Sequence, residues 1–229
     1  MKIDFSIGDR TFQIEPYRTY QEKDILLSSS FGIKDLDRIL EIINFNESGL
    51  TENEKKVILY KAREISLGNE IDIKFKCKEC GQGNDGIIDA SNFVIDGSRN
   101  DDYIRKLNEN VTDENLIKFV EYSQEELDDL DIQDYEELKK KVTENQIQFN
   151  FTKSCKCLRC QTENIFDLSS PEYIIEIMSE DNLMTLYKSY NLLIYFGHYT
   201  KTDIDNMYPF ERNIFIGLFN KTKEDLSKQ

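Results

Sequence analysis

Cys77-Lys78-Glu79-Cys80 and Cys157-Leu158-Arg159-Cys160 are two knuckles of one pattern, set far apart in the chain. Each follows a short alternating run, residues 71–75 and 147–151, and each leads through a polar turn to an apolar pair, Ile87-Ile88 and Ile165-Phe166. An asparagine stands at the same offset past both knuckles, Asn84 and Asn164. A two-residue gap lets both sulfurs of a knuckle face one ion. Two such hairpin tips brought face to face make a tetrahedral four-thiolate site, which zinc fills most often. Cys77, Cys80, Cys157 and Cys160 are therefore the candidate metal ligands, with zinc as a structural ion that pins distant parts of the chain together. A closed set of four protein ligands leaves no open position for catalysis.

Other readings of the cysteines stay open at this level. An iron–sulfur cluster also uses four thiolates, and spacing does not distinguish it. Unmetallated core cysteines are the plainer alternative. Cys155 could replace Cys157 or Cys160, but the equal gap in the two knuckles selects Cys157 and Cys160 and leaves Cys155 as a spare thiol or packing residue. Lys74, Lys76, Lys78, Lys153, Lys156 and Arg159 crowd the two stretches, where positive charge lowers thiol pKa and balances a tetrathiolate.

The 229 residues suffice for one large domain or two modest ones, and 32% charged against 39% hydrophobic residues reads as a soluble, globular chain. A net charge of −15 argues against general binding to nucleic acid or anionic membranes, because phosphate contacts supply most of that affinity. No apolar run is long enough to span a bilayer, and the first residues lack the apolar core of a secretion signal. Five cysteines, four of them in close pairs, fit a metal in a reducing compartment better than a disulfide framework. No phosphate-binding loop or nucleophile elbow is present, and the single histidine, His198, reads as a helix-end residue.

Alternation on both sides of Gly8-Asp9 predicts an N-terminal hairpin. Residues 20–27 read as a short helix, and residues 34–44 as an amphipathic helix with Ile33, Leu36, Ile39, Leu40 and Ile43 on one face. Thr51 and Glu54 form a capping box for a helix ending near Gly68. Residues 87–96 read as one or two strands, residues 100–145 as an acidic helical stretch with a second capping box at Ser123 and Glu126, and residues 146–151 as the strand into the second knuckle. Pro171 falls in a first helical turn. Leu183, Leu186, Tyr187, Tyr190 and Leu193 predict a long helix ending near Gly197. Residues 202–207 read as a connection, and Pro209 opens a last helix with Phe210, Ile214, Phe215 and Leu218 on its apolar face, followed by a fraying tail from 221 to 229. Tyr187, Tyr190, Tyr195 and Phe196 could form a partner-binding stripe, but at helical spacing beside leucines most of them read as core.

The fold class that follows is α+β. Residues 1–70 form an N-terminal β-hairpin plus helices; residues 71–99 and 146–168 form a split four-cysteine, zinc-ribbon-like β unit. Residues 100–145 are a helical insertion and residues 169–229 a C-terminal helical layer.

Three segments resemble the T-even-type (myovirus) bacteriophage baseplate hub and hub-assembly proteins. Phe12-Gln13-Ile14-Glu15-Pro16-Tyr17, followed by Gln21-Glu22-Lys23-Asp24-Ile25-Leu26-Leu27, is similar to their opening. The run from Leu59 through Arg63, Ser66, Gly68 and Glu70 into Lys76-Cys77 is similar to a second family segment, and Met207-Tyr208-Pro209-Phe210-Glu211-Arg212 to a turn common in phage tail assembly proteins. Ile65 and Leu67 depart from the family pattern, where it is more polar or smaller, and residues 100–145 have no counterpart in it. The resemblance implies a non-enzymatic structural or assembly component of the hub of a contractile-tail baseplate. Such a protein is built in the host cytoplasm, sits in the virion and binds other baseplate or tail proteins, with no small-molecule substrate. A nucleic-acid-binding zinc-ribbon regulator is the alternative, resting on the basic knuckles and opposed by the acidic chain.

Overall fold

Alternation around a glycine turn builds the first element. In the computed structural model, which describes residues 2–8, 10–95, 111–114, 116–118, 120, 122–145 and 148–227, β1 (Ile3–Ile7) pairs antiparallel with β2 (Arg10–Ile14). Gly8 turns the chain at φ 56°; Asp9, its partner in the expected turn, lies outside the described residues. Ile7, Phe12 and Ile14 face inward, as period-two alternation requires.

Three helices follow: α1 (Thr19–Ser30), α2 (Leu36–Ile42) and α3 (Glu52–Leu67). The second is shorter than its apolar spacing suggests, because Asp35 caps it by accepting from the Asp37 amide, and Ile33 is left outside. The capping box of α3 forms as predicted, Thr51 accepting from the Glu54 amide and Glu54 accepting from the Thr51 amide at 2.8 Å. Gly68 ends the helix at φ 106°, a conformation that glycine adopts freely.

Two hairpins carry the knuckles: β3 (Glu70–Lys76) with β4 (Gly83–Asp89), and β7 (Thr152–Lys156) with β8 (Glu163–Asp167). The stretch 146–151 is not the strand into the second knuckle. Gln148–Phe149, as β6, pairs instead with β5 (Val94–Ile95). Asn150 separates it from β7, its carboxamide accepting from the Thr152 amide at 2.9 Å in a local turn. The first knuckle's return strand likewise starts earlier than expected, at Gly83.

Between the hairpins, α4 (Gln124–Asp128) and α5 (Ile132–Asn145) pack around Leu116, Val120, Leu127 and Val142, a cluster separate from the main core. The capping box at Ser123 and Glu126 is present. The expected helical pattern over residues 100–110, like Ile147 and the last two residues, lies outside the described residues.

The C-terminal layer comprises α6 (Pro171–Ile177), α7 (Leu183–Gly197), α8 (Lys201–Asn206) and α9 (Pro209–Ser227). Pro171 occupies the first turn of α6, and His198 ends α7 in the left-handed conformation at φ 56°. The expected connection over 202–207 is the helix α8, opened by a Thr200–Asp203 capping box. The expected fraying tail is helical to Ser227. The apolar face of α9 is rotated from the predicted one: Phe215, Ile216 and Phe219 pack against Leu186, Tyr190 and Leu193, while Ile214 and Leu218 are 58% and 57% exposed. Tyr187, Tyr195 and Phe196, expected in the core, stand on the surface.

The main core joins the N-terminal hairpin, α1 to α3, the inner faces of the cysteine hairpins and α6. No helix among the described residues is long and apolar enough to cross a membrane.

Candidate metal centre

Each knuckle is built by the same backbone hydrogen bonds. The Cys77 amide donates to the Gln82 carbonyl and the Gly81 amide to the Cys77 carbonyl; Cys157, Thr162 and Gln161 repeat this at the same distances, 2.9 and 3.0 Å. Both turns need a positive φ at the residue after the second cysteine, 68° at Gly81 and 60° at Gln161. Glycine meets that demand without strain in the first knuckle, and glutamine accepts it in the second.

The two repeats grip one another through the asparagines. Asn84 accepts from the Leu158 amide and Asn164 from the Lys78 amide, each at 2.9 Å. Each asparagine thus holds the opposite knuckle while donating back to its own turn, to the Gln82 and Thr162 carbonyls. Both are nearly buried, so these bonds are shielded from competing water. The equal offset of the two asparagines is visible in sequence, but their crossed role joins residues 74 and 86 positions apart and is set only by how the hairpins pack.

This clamp gathers Cys77, Cys80, Cys157 and Cys160 so that all four sulfurs lie within 4.8 Å of one another. Cys77 Sγ is 3.6 Å from Cys160 Sγ, and Cys80 Sγ is 3.6 Å from Cys157 Sγ. A tetrahedral ion with metal–sulfur bonds of about 2.3 Å sets its sulfurs about 3.8 Å apart, so the arrangement fits a single ion of that size. The backbone amides of Cys80 and Glu79 bring the Cys77 thiol down to about 6 against opposing burial, and those of Cys160 and Arg159 lower Cys157. For Cys80 the Gln82 amide pulls the thiol down, but burial and the three facing sulfurs push it up to about 11. Amides rather than the neighbouring lysines therefore have the largest effect on Cys77 and Cys157, contrary to the expectation from charge. The cluster cannot hold four negative charges unaided, and a divalent cation is the natural compensation.

Cys155 is not part of this group. It points at β4, where a β-carbon on Gly86 would fall 2.6 Å from its sulfur. The equivalent positions of the other strands hold large groups, Phe75 and Phe166, which meet edge-on at 5.2 Å. Small faces small on the β4–β7 side and ring faces ring on the β3–β8 side. The hairpins close together along the first and are held apart along the second.

Fold and site together define an α+β protein whose paired knuckles could bind a metal ion. Residues 1–112 match the family described as T4 bacteriophage base plate protein, and over that part the chain is similar to the T4-type phage baseplate proteins. Comparisons with curated proteins and with solved structures give no match.

Proposed function

We propose that the chain is a structural or assembly component of the central hub of a contractile-tail baseplate, with zinc held by Cys77, Cys80, Cys157 and Cys160 as an internal staple. The family match over residues 1–112 carries the baseplate reading. The four-sulfur group supports the staple, because a site filled by four protein thiolates has structural rather than catalytic character. Zinc is preferred to an iron–sulfur cluster on geometry. A cluster divides its thiolates between metal atoms, whereas the sulfurs here lie at the spacing of one tetrahedron. In the reducing cytoplasm of the host, zinc cross-links where a disulfide would not persist.

The contact surface in this reading is the outer side of α7 and α9. Tyr195 and Phe196 are 76% and 68% exposed, and Ile194, Ile214 and Leu218 are exposed as well. No acidic residue occurs in α7, in a chain of net charge −15. Aromatic and aliphatic groups gathered with little charge, Lys188 being the one charged residue of α7, suit the centre of a protein interface. The acidic remainder keeps free subunits apart before assembly, and it disfavours the regulatory reading, since nucleic-acid affinity rests on phosphate neutralisation.

Two measurements test the proposal. Mass spectrometry of purified virions and of tail-assembly intermediates should find the protein; absence from both overturns the baseplate role. Elemental analysis should find one zinc per chain, lost in Cys157→Ser and kept in Cys155→Ser. Iron in its place, or full retention without Cys157, overturns the zinc assignment.

A further inference from the structure

Holding β3 and β8 apart opens a groove of about 950 Å³ between them, floored by Leu67, Ile73, Phe166 and Tyr173. Both strands that border it are sheet edges. Among the described residues β3 pairs only with β4, and β8 only with β7.

The register shows which backbone groups face outward. In an antiparallel pair, alternate residues bond to the partner strand, and those between turn their N–H and C=O away. The Ala90 amide bonds to the Asn69 carbonyl and the Cys77 amide to the Gln82 carbonyl, so the odd-numbered residues of β3 point to β4. The backbone groups of Asp72 and Lys74 therefore lie on the open edge. The Leu168 amide bonds to the Phe151 carbonyl and the Cys157 amide to the Thr162 carbonyl, which leaves Ile165 and Asp167 outward on β8. An uncovered edge is a template for another strand, and proteins commonly blunt it with lysine, proline or a covering element. Here Lys74 is the one lysine among the lining residues, and no proline lies among them.

The rim has a definite sign. Glu70, Asp72, Asp167, Glu176 and Glu180 line the groove, against Lys74 and Arg63. Arg63 is buried and spends its donors on the carbonyls of Ile177, Gly68 and Glu70. An apolar floor, a carboxylate rim and free main-chain donors and acceptors together specify one class of occupant. We propose that this groove receives an extended basic segment of another protein, which adds as a strand to the open edge of β3 or β8. Apolar side chains on one face of that segment would meet the floor, and lysine or arginine on the other would meet the rim. At about 3.3 Å per residue, the edge from Glu70 to Lys74 takes a segment of about five residues. Nucleic acid is excluded by the rim's sign. The proposal stands on the groove alone and holds or fails independently of the baseplate reading.

The test uses the full-length, metal-loaded chain with a ten-residue peptide of alternating lysine and valine as probe, at low salt. Fluorescence anisotropy measures affinity, and hydrogen exchange resolved by NMR locates binding. Saturable binding is expected, with new protection at the amides of Asp72 and Lys74 or of Ile165 and Asp167. A glutamate–valine peptide should not bind, and N-methylation of the probe's backbone should abolish binding. Asp72 and Glu176 are exposed, so D72K and E176K should keep the thermal midpoint while weakening the probe by about tenfold or more. No binding at low salt, equal binding of the acidic or N-methylated peptide, or protection confined to another surface overturns the proposal.

Discussion

Arg212 in α9 and Glu22 in α1 form an ion pair sealed from solvent, both side chains 0% exposed. Glu22 also accepts the Ser179 hydroxyl at 2.6 Å, and Arg212 reaches Asp181 at 3.3 Å. Around this pair the segments that resemble the baseplate family converge. Tyr17 donates its hydroxyl to the Met178 carbonyl at 2.6 Å, and Arg63 binds the Ile177 carbonyl. The Thr19 amide donates to the Met207 carbonyl at 2.8 Å, and the Arg18 guanidinium lies 3.9 Å from the Tyr208 ring centre. The C-terminal layer is thereby locked onto the family-matched N-terminal part by polar bonds, those of Glu22, Tyr17 and Arg63 in a dry environment.

Arg212→Ala strands the Glu22 carboxylate in the interior. Removing one member of a buried pair costs about 3–5 kcal/mol, whereas replacing both by apolar groups of similar volume is nearly neutral. Urea unfolding should show R212A strongly destabilised and the double change E22L/R212M close to the parent. A single-variant loss below about 0.5 kcal/mol, as at an ordinary surface position, would contradict the buried role.

The asparagine clamp predicts matched effects. Asn84→Ala and Asn164→Ala each leave a shielded amide of the opposite knuckle unsatisfied, a cost of about 1–3 kcal/mol. The two variants should lower the thermal midpoint of the metal-loaded protein similarly and release metal faster to a chelator. A large effect from one and none from the other would show that the knuckles are not clamped reciprocally.

The Gly86 site predicts a rescue. Gly86→Ala sets a methyl 2.6 Å from Cys155 Sγ and forces the hairpins apart, with a loss of about 1–3 kcal/mol from overpacking. Cys155→Ala removes the obstructing sulfur, so the double variant should recover most of the stability. Additive losses in a double-mutant cycle would refute the contact.

Alkali should unfold the protein through its tyrosines. Burial raises the hydroxyl pKa of Tyr17, Tyr60 and Tyr190, with Glu22 adding to it at Tyr17 and the bond to Asp205 at Tyr190. Because the folded values lie above the unfolded one near 10, the stability from these groups is complete below pH 10 and is lost as pH rises above it. The chain has no tryptophan to mask tyrosinate absorbance. A late group of tyrosines should therefore titrate together with loss of helical circular dichroism, and Tyr190→Phe should make that loss less steep. Titration of all tyrosines near pH 10 with the helices intact would exclude the effect.

Much of the architecture is written locally. The capping boxes at Thr51 and Ser123, the glycine stop at Gly68, Pro171 in a first turn and the turn inside each knuckle all depend on residues within a few positions of one another, and each forms as its spacing predicts. The misreadings share a cause. Residues 148–149 have a strand pattern, but only their pairing with Val94–Ile95 gives them a partner. The apolar residues of α9 cover more than one side of the helix, and periodicity alone could not say which side faces α7.

By itself, then, the sequence determined the α+β class, the four candidate sulfurs and the family-like segments, because turn chemistry, capping and ligand spacing act over short distances. Only the tertiary structure decided that Glu22 meets Arg212, that Asn84 and Asn164 cross, and that Cys155 packs on Gly86 instead of joining the thiolate group. Those relationships join residues far apart in the chain, and their energies exist only once folding has removed the water between them.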